Sequence, residues 1–270
     1  MEFSIVVPVY NEAGNIGPLV DEICAALIGR GDWELLYVDD GSDDGTRAEL
    51  RRAQTACAQL RVLRHTQRSG QSSALLTGVR AAQAPWIITL DGDGQNDPVD
   101  IPLLIDRLVA EDIALANTML AGHRTRRCDT WLKRVSSRVA NGVRSRLLKD
   151  ATPDTGCGLK LFPRALFLAL PAFDHMHRFL PALMQRQGVH VLSVPVRHRP
   201  RERGVSKYGV RNRLWVGLVD IAGVMWLQRR RLSKEGAADG RQAQISDALG
   251  VGWLQRRPCV VSSKEESLDV

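Results

Sequence analysis

The first hundred residues alternate between apolar, β-branched segments and segments with a helical repeat, and this alternation limits the possible folds more than any other feature. Strands are predicted over 3–10, 33–38, 60–63 and 86–90, and helices over 15–27 and 69–82. Strands that alternate with helices at this spacing pair in parallel, through right-handed crossovers. The sequence therefore predicts an α/β fold with a Rossmann-like, mostly parallel sheet flanked by helices.

The second half of the chain continues this pattern less regularly. Further helices are predicted over 98–109, 131–148 and 179–187, and further strands over 113–120 and 189–196. Because Ala, Gly, Ser, Gln and charged residues dominate from 233 onward, we expect 233–270 to be largely disordered. The expected organisation is one domain over 1–210, a helix within 211–232 and this tail.

The segment 214–227 is the longest run with little charge. At about 14 residues it is shorter than the roughly 20 residues that span a bilayer, so no transmembrane helix is predicted. Trp215 and Trp226 lie near its ends, and arginines flank it on both sides. Two interpretations remain open: a helix lying in a membrane interface, and a helix packed on the core.

The net charge of +7 on 270 residues is compatible with nucleic acid, anionic lipid or a phosphorylated substrate as a partner. Basic residues concentrate after His123, in 197–207 and in 229–231. Aromatic residues make up only 5% of the chain and do not interleave with the basic ones. Together with acids at the strand ends, this composition argues against a nucleic-acid-binding module, and no nucleic-acid partner is expected.

Cysteine usage and the first residues bear on the compartment. Five cysteines without CxxC spacing support neither a disulfide framework nor a zinc site, and they favour a reducing, cytosolic environment. No basic segment precedes the first strand, so no signal peptide is predicted.

The segment 86–95 is an apolar strand that ends in two carboxylates. Asp91 and Asp93 can point the same way just beyond the strand, where open α/β sheets bind ligands. In a low dielectric the two carboxylates repel each other, so one takes up a proton or both share a cation. With Gln95 as a further oxygen ligand, the set favours Mg²⁺ or Mn²⁺ over zinc. An Asp-Gly turn closing a hairpin explains the same residues, and both interpretations stay open at this point.

Polar residues also follow the first two strands, and a basic stretch lies near the end of the predicted domain. Asp39 and Asp40 precede the turn after the second strand and suit a ligand contact, whereas Asp43 and Asp44 suit helix capping. The stretch 197–209 is basic and interrupted by glycine, which is typical of a mobile clamp for anions.

Taken in order, six motifs resemble those of one enzyme family over about residues 3 to 228. They are VPVYNE, VDDGSDDGT, LDGDGQ, GHR, DTGCGLKLF and RERGVSKYG. The chain resembles the family 2 inverting glycosyltransferases, and within them the dolichyl- and undecaprenyl-phosphate sugar transferases, the polyprenyl-phosphate mannosyltransferase group. The resemblance implies a GT-A type fold.

The resemblance also implies roles for individual residues. Nucleotide-binding positions of the family match Pro8, Tyr10, Glu12, Val38, Asp40, Asp91, Gly92 and Asp93. Its metal ligands match Asp91, Asp93 and Gln95, for Mg²⁺ or Mn²⁺. Catalytic roles at the diphosphate are implied for Asp91, Asp93, Arg124, Arg201 and Lys207. Asp154 is a further candidate that helps to place the metal or the acceptor, or that caps a turn.

This chain departs from the family pattern at three points. Gly92 replaces the more usual alanine, which is expected to matter little, and Cys157 stands where serine is common. The two C-terminal transmembrane helices of some bacterial relatives are not found in the sequence, which leaves the mode of membrane attachment open. From the segment 214–227 we expect peripheral attachment, on the cytoplasmic face.

The activity implied is metal-dependent, inverting transfer of a sugar from GDP-mannose or a UDP-sugar to a polyprenyl phosphate. A lipid phosphate is already anionic, so it needs orientation more than a general base. The alternative is a family 2 transferase that acts on a soluble or saccharide hydroxyl. That reaction needs a carboxylate base, for which Asp154 is the obvious candidate.

Overall fold

The computed structural model describes residues 1–110, 117–125, 142, 144, 146–148, 150, 152–201 and 210–230. Within these ranges, seven strands form one sheet in the order β3-β2-β1-β4-β6-β5-β7. The strands are β1 (Phe3–Val9), β2 (Trp33–Asp39), β3 (Leu60–Arg64), β4 (Trp86–Thr89), β5 (Thr118–Arg124), β6 (Lys160–Pro163) and β7 (His190–Val196). The helices are α1 (Ile16–Ala26), α2 (Thr46–Ala56), α3 (Gln71–Ala81), α4 (Ile101–Ala110), α5 (Arg164–Leu168), α6 (Leu180–Arg186) and α7 (Val210–Arg229). Two 3-10 turns cover Pro98–Asp100 and Met176–Arg178.

The sheet is mostly parallel, which confirms the predicted fold class. β1 pairs in parallel with β2 and β4, β2 pairs with β3, and β5 pairs with β7. β6 is the exception, because it runs antiparallel between β4 and β5. The sequence did not predict this reversal, since the four residues of Lys160–Pro163 have no pattern that reports the direction of a strand.

Strand alternation divides the core into two layers, one on each face of the sheet. In β1, Ile5 and Val7 contribute to the layer under α1 and α4, while Val6 contributes to the layer under α3 and α6. These three side chains are fully buried. Burying each one is worth roughly 1.5–3 kcal/mol, so β1 is a main source of stability on both faces.

Helix α3 lies unusually close to the sheet. A Cβ added at Gly78 would overlap Cγ1 of Val6 and lie 3.1 Å from Cγ2 of Val38. Only glycine at this point lets the helix approach so closely. At the start of the same helix, the side chain of Gln71 contacts Asp91, which follows β4.

Helix α7 covers the predicted segment 214–227 and extends beyond it at both ends. Ile221, Val224 and Met225 pack against the second core layer. Val219 and Trp226 are 68% and 60% exposed, so among the described side chains of this helix these two leave apolar surface open. None of the described helices is long and apolar enough to cross a membrane.

Some predicted boundaries can be compared with the structure, and others lie outside the described residues. β5 extends to Arg124, four residues beyond the predicted end at 120, so that boundary was wrong. Much of the predicted helix 131–148 and all of 233–270 lie outside the described residues. The domain boundaries therefore stay predictions.

Candidate active site

The carboxyl ends of β1, β2 and β4 meet at one edge of the sheet, and most of the predicted site residues lie there. Val9 is in register with Asp39, and the N–H of Asp40 donates to the carbonyl of Val9 at 2.8 Å. The N–H of Leu90 donates to the carbonyl of Val6 at 3.2 Å, which aligns the end of β4 with β1. The acids after the three strands therefore share one crevice, as the parallel pattern predicted.

Asp91 is a half-buried carboxylate held from two sides. The side-chain amide of Gln71, the first residue of α3, donates to its Oδ1 at 3.0 Å. On the other side, a Cβ added at Gly158 would overlap the Asp91 carboxylate, so glycine makes room for it. Burial, and then the charge of Asp93, raises the pKa of Asp91 to about 6 despite the opposing charge of Lys160.

Asp93 lies next to an arginine of the basic stretch. Its Oδ1 accepts from the N–H of Gln95 at 3.1 Å, and its Oδ2 lies 4.0 Å from Nη1 of Arg201. The guanidinium of Arg201 also donates to Oε1 of Glu12 at 2.6 Å. One arginine thus joins the turn after β1 to the turn after β4.

The oxygen donors at this edge fit a divalent cation such as Mg²⁺ or Mn²⁺. The raised pKa of Asp91 reflects repulsion and burial that a cation between Asp91 and Asp93 would relieve. The described residues contain no group of three or more His, Cys, Asp or Glu side chains placed to hold a metal. Such a partial set suits Mg²⁺, which commonly takes one or two carboxylates and completes its shell with water and substrate phosphates.

Arg124 and Asp154 form a bidentate ion pair behind the Asp91 edge. Nε and Nη2 of Arg124 donate to the two oxygens of Asp154 at 2.6 and 2.8 Å. Both side chains are largely buried, at 17% and 3% exposed. The sequence left a turn role and a metal or acceptor role open for Asp154. The structure shows its contact with Arg124, and its role in the reaction stays a prediction.

The turn after β1 is tied to the start of α2. The N–H of Asn11 donates to Oγ of Ser42 at 2.9 Å, and the N–H of Glu12 donates to Oγ1 of Thr46 at 2.8 Å. Asn11 adopts a left-handed φ of 54°, which asparagine tolerates better than most residues. These bonds fix the loop that carries the predicted nucleotide-binding residues.

Next to this turn, the guanidinium of Arg68 stacks 4.4 Å above the ring of Tyr10. Pro8 is half-buried at the end of β1. Val38 is fully buried and packs toward Gly78, so its side chain supports the edge from beneath.

Asp39 and Asp40 make their described contacts with the protein itself. Oδ1 of Asp39 accepts from the N–H of Ser42 at 2.8 Å, and the N–H groups of Ser69 and Gly70 donate to Asp40 at 2.8 Å each. Both acids are nearly inaccessible, at 1% and 3% exposed. Asp39 thus holds the turn before α2 and Asp40 holds the loop before α3, and the ligand contact implied for Asp40 stays a prediction.

Two further expectations can be compared with the structure. The expectation that Gly92 differs little from alanine is wrong for this chain, because a Cβ there would overlap Val9 and lie 3.2 Å from the carbonyl oxygen of Pro8. Lys207 lies outside the described residues, so the clamp over 197–209 is described only as far as Arg201.

Four residues near this edge were not singled out from the sequence: Gln71, Lys160, His177 and Arg199. The ammonium of Lys160 is buried and donates to the carbonyl of Cys157, and burial lowers its pKa. Arg199 donates to Glu22 at 2.8 Å and to Asp97 at 2.5 Å, which fixes the base of the basic stretch. Two sequence signals pointed toward them: a lone lysine in a mostly apolar strand, and the position of Arg199 within the basic stretch 197–209.

An α/β sheet with acids and arginines at its carboxyl edge occurs in several enzyme classes, and comparison with known families identifies the one that applies here. Residues 4–170 match Glycosyl transferase family 2, and the chain belongs to that family. The predicted glycosyltransferase class is thereby confirmed.

The relatives within the family are polyprenyl-phosphate sugar transferases by name. The chain is 35% identical over 236 residues to the dodecaprenyl-phosphate galacturonate synthase of Rhizobium johnstonii, covering 85% of this chain and 68% of that protein. It is 32% identical over 209 residues to the undecaprenyl-phosphate 4-deoxy-4-formamido-L-arabinose transferase of Edwardsiella ictaluri, covering 77% and 63%. The chain thus spans about two thirds of the length of these relatives.

Solved structures confirm the GT-A fold. Glucosyl-3-phosphoglycerate synthase from Mycobacterium tuberculosis, solved with Mn²⁺ and UDP-glucose, superposes with a TM-score of 0.64 at 20% identity, over 82% of this chain and 79% of that one. At this identity the likeness concerns the fold alone.

Proposed function

We propose that this chain transfers a sugar from a nucleotide-sugar to a polyprenyl phosphate, with inversion and with the help of Mg²⁺ or Mn²⁺. The observation that carries the proposal is the Asp91 and Asp93 pair, which lies beside Arg201 at the carboxyl edge of a family 2 sheet. The names of the relatives support polyprenyl phosphate as the acceptor. UDP-sugars are the first donors to test, because the solved fold neighbour holds UDP-glucose.

Asp91 and Asp93, with Gln95, are the residues that would hold the cation. When bound, it supplies positive charge to the diphosphate of the leaving nucleotide. Arg201 lies 4.0 Å from Asp93, so a diphosphate held at Asp93 is within its reach. Arg201, Arg124 and Lys207 would add fixed positive charge where negative charge develops on the leaving group.

The acceptor reacts without a strong base in this proposal, because a phosphate monoester is already anionic at neutral pH. Asp154 is the residue that a hydroxyl acceptor would need as a base. Its two oxygens accept hydrogen bonds from Arg124 at 2.6 and 2.8 Å, so Asp154 is already engaged in an ion pair within the protein. This contact favours the lipid phosphate over a hydroxyl acceptor.

The open face of α7 supports peripheral attachment at the cytoplasmic face of the membrane. Val219 and Trp226 are exposed there, and Arg229 and Arg230 follow. Apolar contact combined with basic residues suits an interface that contains anionic lipid. Attachment at headgroup level would let a phosphate on a membrane-held tail reach the crevice.

A donor and acceptor panel tests the activity. Thermal unfolding is followed with UDP-glucose, UDP-galacturonate and GDP-mannose, each with Mn²⁺ and with EDTA. The stabilised pair is then assayed for transfer of labelled sugar to undecaprenyl phosphate or to a soluble hydroxyl acceptor. We expect Mn²⁺-dependent stabilisation and label in the lipid phase. Label found only in a soluble product contradicts the acceptor, and full transfer in EDTA contradicts the metal.

Liposome co-sedimentation tests the attachment. The Trp226→Ser chain is compared with the unaltered chain on vesicles with and without phosphatidylglycerol. The indole of Trp226 would be buried in the lipid when the chain is attached. Its loss is expected to weaken vesicle binding roughly tenfold, because burial of a large apolar side chain is worth about 1.5–3 kcal/mol. Leu103→Ser, an exposed residue of α4, is the matched control. Equal sedimentation of all three chains argues against α7 as the attachment site.

A further inference from the structure

The 3-10 turn Met176–Arg178 packs against the first turn of α3 through one hydroxyl. Oγ of Ser72 and Nδ1 of His177 are 2.7 Å apart, and the backbone N–H of His177 donates to the same Oγ at 3.3 Å. Ser72 is 4% exposed. A hydroxyl offers one donor and two acceptor positions, so it can satisfy both contacts whichever group donates to the other. The contact therefore fixes the second residue of α3.

The first residue of α3 connects Ser72 to Asp91. Gln71 donates to Oδ1 of Asp91 at 3.0 Å, and Ser72 follows it directly in the helix. The residues before the helix are held as well, by the bonds from Ser69 and Gly70 to Asp40. Gln71 thus lies between an anchor on its N-terminal side and an anchor at Ser72.

We propose that Ser72 and His177 are positioning residues that set Gln71, and through it Asp91, for binding of the metal and the donor. The inference rests on the proposed function, in which Asp91 helps to hold both. The turn Met176–Arg178 is 85 or more residues from Asp91 in the sequence. In this proposal the turn helps to order the active site without lining it.

The protonation of His177 suits this role. Burial, and then the charges of Arg178 and Lys160, lowers the pKa of His177 to about 3. The ring is therefore neutral at physiological pH, and its contact with Ser72 is an ordinary hydrogen bond between neutral groups. Such a bond depends on geometry, which is what a positioning contact requires.

The same turn supplies a matched control on its other side. His175 has a left-handed φ of 62°, and its Nδ1 lies 3.2 Å from Oδ2 of Asp220 in α7. Asparagine tolerates this backbone conformation. His175→Asn therefore alters the turn where it meets α7 and leaves the contact with Ser72 in place.

The test compares three variants in the full chain: His177→Leu, His177→Asn and His175→Asn. Isothermal titration measures binding of UDP in the presence of Mn²⁺, and amide hydrogen exchange follows the first turn of α3 without metal. We expect His177→Leu to weaken binding about tenfold and to speed exchange in that turn. His177→Asn retains a polar atom near Nδ1 and should bind within about twofold of the unaltered chain, and His175→Asn should bind unchanged.

A double-variant cycle separates positioning from general damage. If His177 acts through Gln71, His177→Leu should have little further effect on binding in a Gln71→Ala background, because the two substitutions then break the same connection. Full additivity of the two losses overturns the inference. Ser72→Ala, which removes only a hydroxyl, replaces His177→Leu if that variant does not fold.

The outcomes distinguish this inference from the proposed function. If the unaltered chain binds neither UDP nor GDP in the presence of Mn²⁺, the proposed function fails. If the unaltered chain binds and His177→Leu and Ser72→Ala bind equally well, the positioning role is overturned while the proposed function stands.

Discussion

Two pairs of aspartates follow two parallel strands of this sheet, and the two pairs differ in exposure and in charge environment. Asp39 and Asp40, at the end of β2, are almost inaccessible and accept hydrogen bonds from backbone N–H groups. Asp91 and Asp93, after β4, remain partly open, and burial together with the charge of Asp93 raises the pKa of Asp91. A carboxylate whose oxygens are taken up by protein donors stabilises a loop, whereas one left facing another carboxylate is suited to a cation.

Each pair also has its own arginine. Nε of Arg64 lies 3.2 Å from Oδ2 of Asp39, while Nη1 of Arg201 lies 4.0 Å from Oδ2 of Asp93. Arg64 extends from the end of β3 in the same sheet, whereas Arg201 belongs to the basic stretch after β7. The first pair is thus held within the sheet edge, and the second meets a segment from a distant part of the chain. The following variants test whether the first pair serves the fold and the second serves the reaction.

The largest effect is expected from Asp93→Ala. Transfer should fall about a hundredfold or more, because the variant removes a ligand for the charge that stabilises the leaving group. Its free energy of unfolding should stay within about 0.5 kcal/mol, since removing one of two repelling carboxylates costs the fold little. Steady-state kinetics and urea unfolding measure the two quantities. If Asp93→Ala strongly lowers the free energy of unfolding, the second pair also stabilises the fold, and the contrast between the pairs is contradicted.

Asp40→Ala is expected to have the opposite effect, with a large loss of stability and a small change in metal affinity. The free energy of unfolding should fall by about 3 kcal/mol, because two partly buried backbone N–H groups and the ring of His65 lose a charged partner. Metal affinity, measured on the remaining folded protein, should change much less. Asp40→Asn keeps one acceptor oxygen and should lose less stability than the alanine variant. If Asp40→Asn is fully stable yet fails to bind donor, the carboxylate is a ligand contact, as the sequence implied.

Substitution of Arg201 and of Arg64 is expected to give a smaller contrast in kcat/KM. Arg201→Ala should lower kcat/KM about tenfold or more, since a charge-assisted contact is worth about 1.5–3 kcal/mol. Arg64→Ala should leave kcat/KM within about twofold and lower stability by less than about 1 kcal/mol, because the Arg64 side chain is 40% exposed. Equal kinetics for both variants would remove Arg201 from the site.

This contrast between the pairs was only partly accessible from the sequence. The order of strands and helices predicted that both pairs lie at one edge, because parallel strands end together. What separates them comes from contacts between residues far apart in the chain. Gln71 meets Asp91 across 20 positions, and Arg201 meets Glu12 across 189. No local pattern reports such contacts.

The reversal of β6 was hidden for a related reason. Direction in a four-residue strand is decided by its neighbours, here Ile88 of β4 and Leu120 of β5, which both pair with Leu161. The ion pair of Arg124 with Asp154 depends on this reversal, because it brings the loop before β6 back to the carboxyl edge. The role of Asp154 therefore could not be chosen before β6 was oriented.

The smallest expected effect concerns pH. Burial and the charge of Asp93 raise the pKa of Asp91 to about 6, while Lys160, Arg124 and Gln71 lower it. Binding of Mn²⁺ requires the ionised form, so affinity should fall as the pH falls through 6. Since about a quarter of such a carboxyl is ionised at pH 5.5, affinity there should be about fourfold weaker than at pH 7.5.

Asp91 should affect the stability of the metal-free protein in the opposite direction, so that its contribution becomes more favourable as the pH falls. A folded-state pKa above the ordinary value of 3.8 means that the ionised Asp91 opposes folding at neutral pH. This opposition is relieved as the pH falls through about 6 and is absent below the unfolded value. Asp91→Asn should therefore stabilise the metal-free chain more at pH 7.5 than at pH 4.5, measured by urea unfolding in EDTA. The control is Asp40→Asn, which should not stabilise the chain at either pH. If Asp91→Asn behaves like Asp40→Asn, the two pairs are equivalent in the fold, and the distinction drawn between them does not hold.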